Sequence, residues 1–111
     1  MTNTIFRKTR SKTPEGMVKE PVRKFLRNIG FFVFHIQQGM GSYPGIADLY
    51  AIKKGVGIWI EIKVPNNPKS QQSPKQVDFE ANITSHGGEY IVVRSVEYLY
   101  NYLREKHPEV L

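Results

Sequence analysis

The sequence predicts an α/β domain of element order αβββαβα, with a mixed four-stranded sheet flanked by helices. Three observations carry that expectation. In "GIWIEIKVP", Ile58, Ile60, Ile62 and Val64 recur at every second residue, the period of a strand with one buried face. In "KTPEGMVKEPVRKFLRNIG", the apolar residues Met17, Val18, Val22, Phe25, Leu26 and Ile29 follow near-helical spacing. Along the rest of the chain, short β-rich runs alternate with helical ones, separated by glycine, proline and asparagine.

The first helix is expected to start at Thr13, with Pro14 at its first position and an acid, Glu15, in its first turn; Gly30 ends it. Pro21 lies more than a turn inside, which predicts a kink or a short opening turn before the main helix. "FFVFHIQQ" is rich in β-formers and reads as a strand over about residues 31–37. "GMGSYPG" is a loop, and "IADLYAI" a second strand. "KKGVG", about five residues, turns the chain into the strand that holds Glu61, giving an antiparallel hairpin. After the loop "PNNPKSQQ", Ser73, Pro74 and Gln76 take the N-cap, first and third positions of a helix, a capping-box variant, and glycine closes that helix at "SHGG". "EYIVV" is the fourth strand, and Ser95 caps a last helix with Val96, Leu99, Tyr102 and Leu103.

At 111 residues the chain holds one domain, expected over residues 13–111, with residues 1–12 as a flexible basic arm. No run approaches the roughly 20 apolar residues of a spanning helix, and the start of the chain does not read as a secretory signal. Without cysteine there is no disulfide, thiol nucleophile or thiolate metal site, so an intracellular setting is expected and any metal must be held by oxygen or histidine. The net charge of +6 is all at one end: residues 1–27 carry eight cations against Glu15 and Glu20, while the remaining residues carry eight of each sign. A basic cluster of this kind seeks phosphate, and Arg7, Lys8, Arg10, Lys12, Lys19 and Arg23 are the candidate nucleic-acid contacts; a solubilising tail is the plainer reading of residues 1–12.

The residues that can do chemistry lie on the hairpin. Asp48 opens its first strand and Glu61 sits in its second, so a suitable register brings the two carboxylates together. They repel unless a divalent cation neutralises them, and magnesium keeps waters enough to accept a phosphate as well. Lys63, on the strand face of Glu61, can then orient a water or offset charge that builds on the phosphate. Taken alone, alternating polar residues on a strand are its solvated face.

The surrounding pattern decides between these readings. "YPGIADLYAIKKGVGIWIEIKVP" followed by "SPKQVDFEANITSHGGEYIVVRS" resembles the VRR-NUC family, a branch of the PD-(D/E)XK nuclease superfamily, over about residues 13–102. The G-[IV]-x-D-[LF] element matches Gly45, Ile46, Asp48 and Leu49; E-x-K matches Glu61 and Lys63; S-x-x-Q matches Ser73 and Gln76; the double glycine matches Gly87 and Gly88. Ala47 stands where the superfamily has proline, and Ser95 follows Val93 and Arg94 where the family has a second arginine. The resemblance implies a restriction-endonuclease-like fold and a divalent-metal nuclease, with Asp48, Glu61 and the backbone carbonyl of Ile62 binding metal and Lys63 catalytic. It also implies a glutamate on the first helix. Glu15 is the favoured candidate and Glu20 an accessory one, since five residues on a regular helix diverge by roughly 140°. Gln76 is a second accessory candidate.

The expected function is that of a magnesium-dependent, structure-selective DNA endonuclease, with manganese able to substitute. Stand-alone phage and bacterial members of the family imply branched DNA as substrate, four-way junctions included, and a bacterial or phage-infected cytoplasm as the setting. A non-catalytic nucleic-acid-binding module, or a nuclease subunit acting on flaps and other single-cut substrates, is the alternative. Neither a membrane nor a small-molecule cofactor is expected. One active set per chain predicts a homodimer on a symmetric junction, with apolar surface offered by Tyr98, Tyr100, Tyr102 and Phe6. His35, His86 and His107 lack the spacing of a zinc site, Gln37, Gln38 and Tyr43 flank the loop before Asp48, and Trp59 reads as core.

Overall fold

The computed structural model describes residues 13–111. Its elements are α1 (Gly16–Asn28), β1 (Phe32–His35), β2 (Leu49–Lys53), β3 (Val56–Ile62), α2 (Pro74–Ser85), β4 (Tyr90–Val93), α3 (Val96–Lys106) and a closing 3₁₀ turn (Pro108–Val110). The strands form one sheet in the order β1-β2-β3-β4, antiparallel except for the parallel β3–β4 pair. The expected order is therefore the observed one, and the parallel pair follows from α2, which carries the chain back to the start of the sheet.

One face of the sheet is covered by two helices and the other, in part, by a third. Ile58, Ile60 and Ile62 of β3 join Val33, Leu49, Ala51, Ile91 and Val93 beneath α1 (Val18, Val22, Leu26) and α3 (Leu99, Leu103). On the opposite face, Trp59 packs with Phe79 of α2, Tyr90 and Ala47, which places the tryptophan in the core as expected. The opposite face of β3 is thus no solvated surface, and Glu61 on it is only 2% exposed.

Several local expectations need correcting. The helix is continuous through Pro21, with no separate opening turn before it. Pro21 and Met17, whose carbonyl loses its partner to the proline, both lie on the exposed side, where water can serve that carbonyl. Thr13 does cap the helix entry, its hydroxyl accepting from the Gly16 N–H at 3.0 Å, although regular α-geometry begins three residues later. β1 is shorter than expected because pairing with β2 lasts only to the Ile36 N–H, which donates to the Asp48 carbonyl before the chain turns away. The hairpin turn is two residues, not about five: Lys53 pairs with Val56, and Lys54 and Gly55 take φ of 52° and 81°. Two positive φ values in succession make a type I′ turn, whose twist matches that of the strands. The 3₁₀ turn was not foreseen. It buries Val110 in the core, while Lys53 donates to the carbonyls of Ile29 and Val110 and ties it to the end of α1.

Helix α2 starts as expected: the Ser73 hydroxyl accepts from the Gln76 N–H at 3.2 Å and the Gln76 side-chain oxygen accepts from the Ser73 N–H at 2.9 Å. Ser95 caps α3 in the same way, accepting from the Tyr98 N–H at 3.1 Å. The α2 start is held against the loop before Asp48 by Gly45. A Cβ there would lie 2.2 Å from the Lys75 carbonyl oxygen, and its φ is +79°. Tyr98 and Tyr100 are exposed, whereas Tyr102 is half-buried and hydrogen-bonded to Glu89; Phe6 lies outside the described residues.

Gly45→Ala should lower stability by at least about 2 kcal/mol more than Gly41→Ala, whose φ is also positive but whose Cβ would meet nothing within 4 Å. Thermal unfolding followed by circular dichroism checks this, and equal losses in the two variants would remove the close-approach argument.

Candidate active site

The register Leu49↔Ile60 places Asp48 across from Glu61, and the Asp48 N–H donates to the Ile60 carbonyl at 3.0 Å. Both carboxylates are buried, Asp48 at 4% exposure and Glu61 at 2%. Asp48 is fixed at both oxygens: Oδ2 accepts from the Ile62 N–H at 2.7 Å, and Oδ1 accepts from Gln38 Nε2 at 3.2 Å. Glu61 is fixed at one. Its Oε2 accepts from Gln76 Nε2 at 2.8 Å and lies 3.4 Å from Lys63 Nζ, while its Oε1 is buried with no partner.

Gln76 does two jobs with one amide. Its oxygen closes the capping box of α2, which leaves its NH₂ aimed at Glu61. Gln38 works similarly from the β1–β2 loop, reaching the carbonyls of Ile46 and Ala47 at 3.0 and 3.1 Å as well as Asp48. The sequence marked Gln38 only as a flanking loop residue. Its role depends on a contact made ten residues away, for which the chain offers no local signal.

Burial, then the neighbouring Asp48 charge, pushes the Glu61 carboxyl up to about 8, against the pull of the Lys63 ammonium. A bound divalent cation would remove that cost, and the residues present fit one. Two carboxylates stand together, one buried oxygen lacks a partner, and a backbone carbonyl is left free to join them. In an extended strand the N–H and C=O of one residue point the same way. The Ile62 N–H points to Asp48, so its carbonyl does too, and Ile46, which would continue the ladder to that carbonyl, donates instead to Tyr43. Oxygen donors of this kind suit magnesium or manganese.

The structure does not bring the helix glutamates to this pair. Glu15 is exposed at the entry to α1, and Glu20 is exposed and held by Arg23 at 3.1 Å. Among the described residues, no group of three histidine or acidic side chains is placed to hold one ion. The expected 140° divergence is moot, since neither residue reaches Asp48, Glu61 or Lys63 by a hydrogen bond or ion pair. Lys19 and Arg23 lie on α1; Arg7, Lys8, Arg10 and Lys12 lie outside the described residues. His35 ends β1 exposed, His86 closes α2, and His107 pairs with Glu89 at 2.9 Å, all away from the carboxylates.

No family model matches the chain, and no curated protein does. A solved structure described as a VRR_NUC domain shares the fold, with a TM-score of 0.70 over 86% of this chain and 99% of that one, at 23% identity. This chain thus shares the fold of that domain, and any chemistry must be argued from the residues themselves.

Between the ordinary carboxyl range near 4.5 and about 8, the ion-free folded state holds a proton at Glu61 that the unfolded chain has released. Stability should therefore fall as pH rises through that window. In EDTA, the melting midpoint should drop between about pH 5 and about pH 8 by roughly 4 °C or more beyond the drop seen in Glu61→Gln. Magnesium should restore the midpoint at the higher pH in the wild type alone. A wild-type profile parallel to that of Glu61→Gln would show that no buried proton is held at this carboxyl.

Proposed function

We propose that this chain is a magnesium-dependent endonuclease that hydrolyses phosphodiester bonds in branched DNA. The observation that carries the reading is the buried Asp48–Glu61 pair, with Glu61 Oε1 unpartnered and Lys63 beside it. A structural pair would be neutralised from within the fold. This one keeps an unsatisfied oxygen, and a polar group left so is costly unless a ligand completes it.

Asp48, Glu61 and the Ile62 carbonyl would hold the ion, which when bound supplies charge neutralisation and a lowered pKa for the attacking water. The other residues position these groups. Gln38 and the Ile62 N–H hold the Asp48 carboxylate, and Gln76 holds Glu61 at Oε2. The Lys63 ammonium, 3.4 Å from that oxygen and 15% exposed, keeps donors to spare for a phosphoryl oxygen as negative charge builds on it.

Branched DNA, with four-way junctions as the leading case, suits a chain that carries one such set and an excess of cations at one end. Two cuts on symmetry-related strands need two sets, which a two-fold homodimer supplies. Exposed Tyr98 and Tyr100 on α3 are surface for that contact. Bacterial or phage-infected cytoplasm is the proposed setting; no helix among the described residues is long and apolar enough to cross a membrane.

Asp48→Asn should abolish magnesium-dependent nicking of branched DNA while leaving gel-shift binding intact, and Lys63→Met should lower the rate by at least about 100-fold with metal binding unchanged. If the wild type nicks no DNA, branched or linear, the binding-module reading replaces this one. Deleting residues 1–12 should reduce the salt slope of binding by roughly 3 to 4 units, at about 0.9 per phosphate contact. Light scattering should report a dimer on an immobile four-way junction; a monomer there would favour flaps and other single-cut substrates.

A further inference from the structure

The sheet carries a row of aromatic side chains that the carboxylate site does not use. The registers pair Phe34 with Tyr50, Tyr50 with Trp59 and Trp59 with Tyr90, so one aromatic residue from each strand stands in line across the sheet. Ring centroids are 5.9 Å apart for Phe34 and Tyr50 and 4.8 Å for Tyr50 and Trp59, and Phe32, two residues along β1 on the side away from Asp48, lies 5.6 Å from Phe34. Helix α2 covers one end, where Phe79 packs on Trp59 and Tyr90. The other end is open, with Phe32 66% and Phe34 42% exposed.

Two features tie this open end to the site. Asp48 and Glu61 occupy the next row of the same ladder, about 6.6 Å along the strands at about 3.3 Å per residue. Their place is fixed by the Asp48 N–H bond to Ile60 and the Ile36 N–H bond to Asp48. Gly57 is the second feature. It is the second residue of β3, just past the hairpin turn, and a glycine within a strand marks a close approach. A Cβ at Gly57 would lie 2.1 Å from Tyr50 Oη, so the missing side chain lets the Tyr50 ring lie down across β3.

Resting on the nuclease reading above, we propose that Phe32, Phe34 and Tyr50 form a stacking subsite for unpaired bases of the DNA strand whose phosphodiester enters the Asp48–Glu61 site. Flat π-faces in a row suit bases of any sequence, and this stretch of β1, β2 and β3 adds no acid beyond the two carboxylates to repel the backbone. A second copy is the other candidate occupant. Pairing along the edge of β1 would not cover these rings, because they stand on the face of the sheet. Bases inside a duplex are already stacked, so the subsite selects strands with unpaired bases next to the cut.

The test is fluorescence anisotropy of the full-length protein in EDTA, with labelled oligothymidine and with a blunt duplex of equal length. The Phe32→Ala/Phe34→Ala variant should lose about 10-fold or more in affinity for the single strand and under about 2-fold for the duplex. Phe34→Leu, which keeps apolar bulk, should also weaken single-strand binding and guards against loss of fold in the double variant. Unchanged single-strand affinity, or equal loss on both probes, overturns the subsite. Conversion of a dimer to a monomer with single-strand affinity kept assigns the face to a second copy and overturns it too. Nicking of branched DNA by the wild type separates the two proposals. Nicking with unchanged affinities in the variants would remove the subsite alone, while selective loss of single-strand binding in a protein that never nicks would remove the nuclease reading alone.

Discussion

Two carboxylates buried side by side on neighbouring strands repel each other, and much of this small fold is arranged to hold them there. Asp48 and Glu61 meet because the hairpin between them has a two-residue turn with both φ values positive. A turn one residue longer would shift the register and send every side chain of the slipped strand to the other face of the sheet. Glycine at Gly55 and a residue tolerating φ of 52° at Lys54 thus decide, from the far end of the hairpin, whether a site exists at all.

The supports around the pair are donors, and they arrive from different elements. The Ile62 N–H comes from β3 itself, Gln38 from the loop after β1, and Gln76 from the start of α2. Each of the three fixes an oxygen without supplying a full charge, and only Lys63 does that. Burial first, and then the Asp48 charge that one lysine only partly offsets, raise the Glu61 carboxyl, whose Oε1 is also left without a partner. Carboxylates buried at such a cost fit the ion-binding role proposed above better than a stabilising one.

Much of this was legible in the chain because its signals are local. The alternation at Ile58, Ile60 and Ile62, the capping box at Ser73 and Gln76, and the glycines after α1 and α2 all act within a few residues, and each reports on the element it belongs to. The pairing of Asp48 with Glu61 was legible for the same reason, since a hairpin is local. What failed depended on distant parts. Alternation alone left the face of Glu61 open to a solvated reading, because nothing near residue 61 says that α2 covers it. Pro21 suggests a kink or a short opening turn, yet the helix is continuous, and the carbonyl that the proline deprives lies toward water, where the loss is small. For Glu15, favoured from a family pattern, the structure shows an exposed side chain with no bond to the pair.

The site and the second helix hold each other. Phe79 is the one buried residue of α2, so apolar packing alone ties this helix to the sheet weakly. The rest of its hold is polar and close-range: the backbone of Lys75 against Gly45, and the Gln76 amide on Glu61. Gln72, just before the helix, adds bonds to Glu80 and to the Tyr90 hydroxyl. An element anchored in this way is coupled to the charge state of the carboxylate it touches, because the Gln76 donor bonds an ionised Glu61 more strongly than a neutral one. Whatever neutralises or charges that carboxyl therefore acts on the seating of α2. Since α2 also roofs the closed end of the aromatic row through Phe79, the carboxylate pair and the aromatic face are parts of one mechanical unit.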